Sequence, residues 1–227
     1  MPSRQEKLKF RTWGGARPNA GRKPSGRNHT PHRPRAEHDK AHPVHVTLRA
    51  APRVPSLRKE VAFSALRRAI GDTARAWFRI VHFSVQSDHV HLLVEANDAN
   101  SLSAGLRGVT IRLARAVNRA TGRRGKVWGD RYHARALACP REVRNALVYV
   151  LMNWKKHLGR AAGIDPCSSA EWFDGWNGKK PDMRPRPPLD AQPVETPSTW
   201  LLRTGWKRHG LLHVHEKPKG VPPGAIP

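Results

Sequence analysis

Residues Ile80 to Val94 form one apolar run, broken only at Gln86-Ser87-Asp88. A short polar turn between two alternating segments is a hairpin signal. Before the turn, Val81, Phe83 and Val85 alternate with Ile80, His82 and Ser84. After it, Val90, Leu92 and Val94 alternate with His89, His91, Leu93 and Glu95. This hairpin constrains the fold more than any other segment. Both strands must join a sheet with a buried face, and parity sends His89 and His91 to the other face. The same pattern recurs at Leu212-His213-Val214-His215, where no long strand flanks it and Pro218 soon follows.

The elements around the hairpin complete a pattern. Val44, Val46 and Leu48 alternate with His45, Thr47 and Arg49 as a half-buried strand. Ser56 offers an N-cap for a helix carrying Leu57, Val61, Leu66 and Ala69 or Ile70. A long amphipathic helix starts near Ser101, with Leu102, Leu106, Val109, Leu113 and Ala116 on one side and Arg107, Arg112, Arg115 and Arg119 over the rest. A strand from Tyr132 to Leu137 and a last helix from Pro140 to Gly159 follow. The predicted class is α+β, a ferredoxin-like βαββαβ antiparallel sheet with helices on one face, plus a C-terminal tyrosine-bearing helix. Uncovered on its other face, the sheet would place its polar strand residues there.

Charge divides the chain. Lys and Arg total 42 against 17 Asp and Glu, a formal net charge of +25, which favours a polyanionic partner. Of the two polyanionic partners, nucleic acid and an anionic membrane surface, the membrane is the less favoured. Residues 1–41 read as a disordered basic tail, in which Arg22 and Lys23 sit in a Gly-Arg-Lys-Pro core similar to an AT-hook. Residues 42–159 read as the folded domain. Residues 160–227 read as a Pro-rich linker and extension that docks on that domain or on DNA. Its stretch EWFDGWNGKK could stack on bases or simply pack. Two cysteines far apart and no apolar leader fit a cytoplasmic, nucleoid-associated protein.

The last helix carries the second cluster of polar groups. Val143, Leu147, Val150, Leu151, Trp154 and Leu158 form one apolar stripe, and Tyr149 lies about 150° from its centre. Asn153, one turn on, and Lys156 share the side of the tyrosine. Two imidazoles with an oxygen ligand suit divalent metals such as Mn, Ni, Co or Zn, and Mg less well. HxH alone is weak support, since surface histidines are common. Tyr132, the only other tyrosine, shares its parity with Ala134 and Ala136 and reads as a packing residue.

DHVHLLVE in a strand, a long amphipathic helix, VWGDRYHARAL, then a helix with YVLMNWKKH closely resembles the single-tyrosine HUH transposases, and most of all the REP-associated tyrosine transposases. The resemblance spans roughly residues 42–159. It implies Tyr149 as the nucleophile, His89 and His91 as metal ligands with Asn153 as the third, and Mg²⁺ or Mn²⁺ as the cofactor. It implies cleavage and rejoining of single-stranded, hairpin-forming DNA through a 5′-phosphotyrosine link. Arg107, Arg112, Arg115, Arg119, Lys156, Arg22 and Lys23 are the expected DNA contacts. Relatives often carry Asn-Pro where Trp154 follows Asn153 here. Two other readings stand beside this one, an inactive relative that binds DNA or RNA and a metal-dependent nuclease using water. The sequence leaves monomer and homodimer equally open.

Overall fold

A computed structural model describes residues 37–154, 163–178 and 192–218. The expected disordered tail lies outside them up to residue 36, as does most of the Pro-rich linker. The elements are β1 (Val44–Arg49), α1 (Glu60–Gly71), β2 (Phe78–Val85), β3 (His89–Ala96), α2 (Ala99–Ala120), β4 (His133–Ala136), α3 (Pro140–Met152) and a short α4 (Trp200–Arg203). The four strands form one antiparallel sheet in the order β2-β3-β1-β4. This is the βαββαβ arrangement expected from the sequence.

Strand parity builds one core. Val44, Val46 and Leu48 of β1 and Val90, Leu92 and Val94 of β3 meet Phe63, Leu66 and Ile70 of α1 and Leu106, Val109 and Leu113 of α2. Each such fully buried side chain contributes roughly 1.5–3 kcal/mol. Tyr132 packs at the edge of this cluster, as its parity predicts. Gly105 lets α2 approach β2, since a Cβ there would lie 2.3 Å from the Phe78 ring.

Local details depart from the pattern. Ser56 is not the cap of α1, which begins after Lys59. Val61 is 62% exposed, because Ala62, Phe63 and Leu66 supply the buried face instead. Asp98 caps α2, its carboxylate accepting from the Ser101 backbone N–H. In β2 the register shifts between Ile80 and His82. That bulge leaves Val81 as an extra residue. Ile80 therefore joins Phe83 and Val85 in the helix-side core, while Val81 joins the opposite cluster with Leu93. The simple alternation placed Ile80 and Val81 the other way round.

The second face is not left open. α3 packs there, and so do both described parts of the extension. Val81 and Leu93 of the sheet meet Val143, Leu147, Val150 and Leu151 of α3 and Phe173, Trp176, Leu201, Leu202, Trp206 and Leu212. Of the two tryptophans of EWFDGWNGKK, expected either to stack on bases or to pack, Trp176 is buried in this cluster and Trp172 packs on the first core. The two parts of the extension also pair with each other, Asn177 N–H donating to Leu212 O at 2.7 Å and Leu212 N–H to Gly175 O at 3.0 Å. Among the described residues, no helix is long and apolar enough to cross a membrane.

Candidate active site

The remainder of the second face, beside the α3 cluster, holds the histidines, with His91 only 3% exposed. His91 of β3 lies opposite Thr47 of β1, and His89 opposite Arg49, while His45 lies opposite Leu93. Paired residues share a face, so His45, Thr47, Arg49, His89 and His91 form one polar field. The His89 and His91 rings stand edge to face with centroids 4.6 Å apart. α3 lays Tyr149 onto them. Its ring is 5.0 Å from that of His91 and 5.7 Å from that of His45. The structure thus brings together the tyrosine and the two histidines singled out in the sequence.

Both histidines are held through Nδ1. His89 Nδ1 is 2.7 Å from Asp88 Oδ1, and Arg49 Nη2 reaches Asp88 Oδ2 at 3.7 Å. Burial pushes the Asp88 carboxyl up. The hydrogen bond to His89, with the charges of His89 and Arg49, outweighs burial and holds it below its usual range. His91 Nδ1 is 3.1 Å from Thr47 Oγ1 and 3.3 Å from His45 Nε2. Burial, and then the nearby Arg135 charge, lower His45 to about 4. It is therefore neutral at neutral pH and can accept a proton shared by His91. Anchoring one ring nitrogen fixes the tautomer and aims the other, so Nε2 is the atom each histidine would present to a metal. Burial raises the Tyr149 phenol above its ordinary value, so the neutral phenol is the form favoured there.

Asn153 follows the last turn of α3. Its side chain is fully buried, and among the described residues neither its oxygen nor its nitrogen has a hydrogen-bond partner. No hydrogen bond ties it to His89 or His91. A buried amide without partners costs free energy, and a ligand for its oxygen would relieve part of that cost. Two imidazole nitrogens and an amide oxygen fit a divalent cation of the Mn²⁺ type.

The arginines fall elsewhere. Arg112, Arg115 and Arg119 line a groove of about 820 Å³ between α1 and α2, with Arg68 and the exposed Val61 and Ile111. Arg107 is exposed on α2. This surface lies across the sheet from Tyr149, so these arginines do not border the histidines. Lys156, Arg22 and Lys23 lie outside the described residues. The basic groups beside the histidines are Arg49 and the exposed β4 residues His133 and Arg135, which lie opposite Thr47 and His45. Parity in β1 pointed to Arg49. The pairing of β4 with β1, 86 residues apart at Thr47–His133, carries no local signal.

Glu95 also escaped a sequence-level role, whereas parity puts His82 on the histidine face of the sheet. His82 is buried, with Nδ1 3.1 Å from Ser169 Oγ and Phe173 edge-on. It is structural and sits apart from the ring cluster. Glu95 receives the extension, as described below.

Residues 39–150 match the family described as "Transposase IS200 like". Among solved structures, the chain is similar to a REP-associated tyrosine transposase bound to a REP hairpin. The two share 21% identity, the match covers 55% of this chain and 73% of that one, and the TM-score is 0.45. A crystal structure of a Deinococcus radiodurans R1 protein, provisionally described as a transposase, matches at 19% identity, over 51% of this chain and 86% of that one, with a TM-score of 0.35. No curated protein matches the chain. Through residues 39–150, this chain belongs to the IS200-like transposases, enzymes that act on DNA.

Proposed function

We propose that the enzyme cleaves and rejoins single-stranded, hairpin-forming DNA with Tyr149 as nucleophile, and that it depends on a divalent metal, Mg²⁺ or Mn²⁺. The observation that carries this reading is the edge-to-face contact of the Tyr149 ring with His91, centroids 5.0 Å apart, beside His89, which is oriented by Asp88. The phenol oxygen attacks the phosphorus, a tyrosine–phosphate bond forms, and the bond to the 3′-oxygen breaks. The phenolic proton is lost and the leaving oxygen gains one, so a 3′-hydroxyl results. The phosphoester energy is kept in the covalent link, and a second 3′-end can reverse the step without a nucleotide cofactor. A cation held by His89, His91 and Asn153 would polarise the scissile phosphate and stabilise charge on the leaving oxygen. Tyr149 and the imidazoles orient the reacting groups, while Arg49, His133 and Arg135 offer positive charge along the same face. The arginines of α2 would hold a different stretch of the DNA, on the far side of the sheet.

The test is an adduct assay. A labelled single-stranded hairpin is incubated with the protein and Mn²⁺ or Mg²⁺, then denatured. A protein–DNA adduct is expected, absent in Tyr149→Phe and without metal. Cleavage without an adduct would assign the nucleophile to water, and binding without cleavage would make the chain a binder only. An adduct that persists in Tyr149→Phe sinks the assignment of the nucleophile.

A further inference from the structure

Glu95 ends the strand that carries His89 and His91. Its carboxylate is only 3% exposed, and a buried charge is tolerated when its hydrogen bonds are made. Here four donors converge on it, all from two residues of the extension. Ser198 donates its backbone N–H and hydroxyl to Oε2, each at 2.7 Å. Thr199 donates its backbone N–H at 2.9 Å and its hydroxyl at 2.7 Å to Oε1. Hydrogen bonds to a charged acceptor are roughly twice as strong as neutral ones. Thr199 is also the N-cap of α4, its hydroxyl oxygen accepting from the Leu202 N–H.

From that anchor the chain crosses α3. Leu201 and Leu202 of α4, and Trp206 after it, pack on the α3 side chains, and the sheet supplies only Val81 and Leu93 to the same cluster. Arg144 of α3 grips the far end. It donates to both carboxylate oxygens of Glu216 at 3.0 and 2.7 Å, and to the carbonyls of Gly210 and Leu211 at 2.9 and 3.2 Å. The extension thus bonds to both elements that carry the candidate site, β3 at Glu95 and α3 at Arg144.

We infer that residues 198–216 are a positioning strap, setting the Tyr149 helix against the histidine strand of the same chain, with Glu95 and Arg144 as its two fixed points. Its catalytic consequence rests on the reading of Tyr149 as nucleophile; its mechanical consequence does not. Exposure of the α3 amides follows from the strap alone.

The experiment uses the full chain carrying Ser198→Ala and Thr199→Val, with Ser198→Ala and Thr199→Ser as the conservative control. Hydrogen exchange is read over α3, with α2 as internal reference, and adduct formation is followed in single turnover across DNA concentrations. Loosening the anchor is expected to speed α3 exchange about tenfold relative to α2, and to lower the maximal rate with half-saturation unchanged. The Thr199→Ser control retains the hydroxyl and stays near wild type in both. Faster exchange in the extension with unchanged α3 exchange and unchanged rate would overturn the inference. If α2 exchange also rises, the variant has loosened globally and Glu216→Gln, which weakens only the far grip, decides by the same readouts. If the wild-type protein makes no adduct, the nucleophile reading fails while α3 exchange still decides the strap.

Discussion

The chain contains His-Val-His twice, and the two copies end in different environments. In both, the rings come together, with centroids 4.6 Å apart for His89 and His91 and 5.1 Å for His213 and His215. Proximity is therefore a property of the spacing and says little about use. The first copy lies on a strand paired on both sides, with Nδ1 partners from neighbouring residues and a tyrosine ring in edge-to-face contact. The second follows a one-residue bridge at Leu212, and both its rings are exposed. There His213 Nδ1 accepts the backbone N–H of His215 at 3.3 Å, while the Glu216 carboxylate that accepts the His213 N–H is committed to Arg144. A histidine pair becomes a candidate metal site when the fold commits one nitrogen of each ring to protein and encloses the pair.

Breaking the two copies separately should give the largest difference. His89→Ala or His91→Ala is expected to lower adduct formation on the order of 10³-fold and to abolish Mn²⁺ binding by calorimetry. The double change His213→Ala, His215→Ala should leave both measurements at the wild-type level. Equal losses from the two copies would erase the distinction.

His82 tests what burial alone does to a histidine on this face. Burial lowers it to about 4, against a partial opposing effect of Asp174. Between about pH 6.5 and pH 4 the unfolded chain binds a proton that folded His82 does not. Its contribution is therefore full above pH 6.5 and is lost as the pH falls. By urea unfolding, the wild type should lose about 2–3 kcal/mol more than His82→Phe between pH 7 and pH 4.5. Parallel pH profiles would show that His82 titrates as it does in the unfolded chain.

The orientation of His91 can be loosened without touching a ring. Thr47→Val removes the hydroxyl at Nδ1 and is expected to weaken Mn²⁺ binding about 10- to 100-fold. No change would assign the orientation to His45 alone. The smallest effects belong to the far side of the sheet. Arg112→Gln, Arg115→Gln and Arg119→Gln should each reduce the salt slope of DNA binding by about one, with the cleavage rate at saturating DNA unchanged. A loss of that saturated rate would place the DNA path on the far side in the reaction itself.

The histidine face was legible because strand parity is local. Val90, Leu92 and Val94 had to be buried, so His89 and His91 had to face the other way. Tyr149 was legible for a similar reason, as a polar residue off the apolar stripe of its helix. The bulge at Val81 was not, since nothing in an apolar run marks which residue is extra. The cover on the second face was not legible either. Its apolar residues are scattered over two segments, and the bonds that seat them join Glu95 to Ser198 and Arg144 to Glu216, across 103 and 72 residues. Asn153 was singled out by its turn spacing from Tyr149, yet its complete burial depends on packing that the helical wheel did not contain.

The separation between Glu95 and Ser198 also sets an order of events at the ribosome. Chains emerge at about 5–20 residues per second, with N-terminal parts folding first. The histidine strand therefore precedes its partner by roughly 5–20 s, and in that interval the Glu95 carboxylate must stay hydrated or find another donor. The sheet can close on α1 and α2 while the tyrosine helix is still unseated. On this timetable a nascent chain already presents its basic surface to nucleic acid before Tyr149, the proposed nucleophile, is held in place.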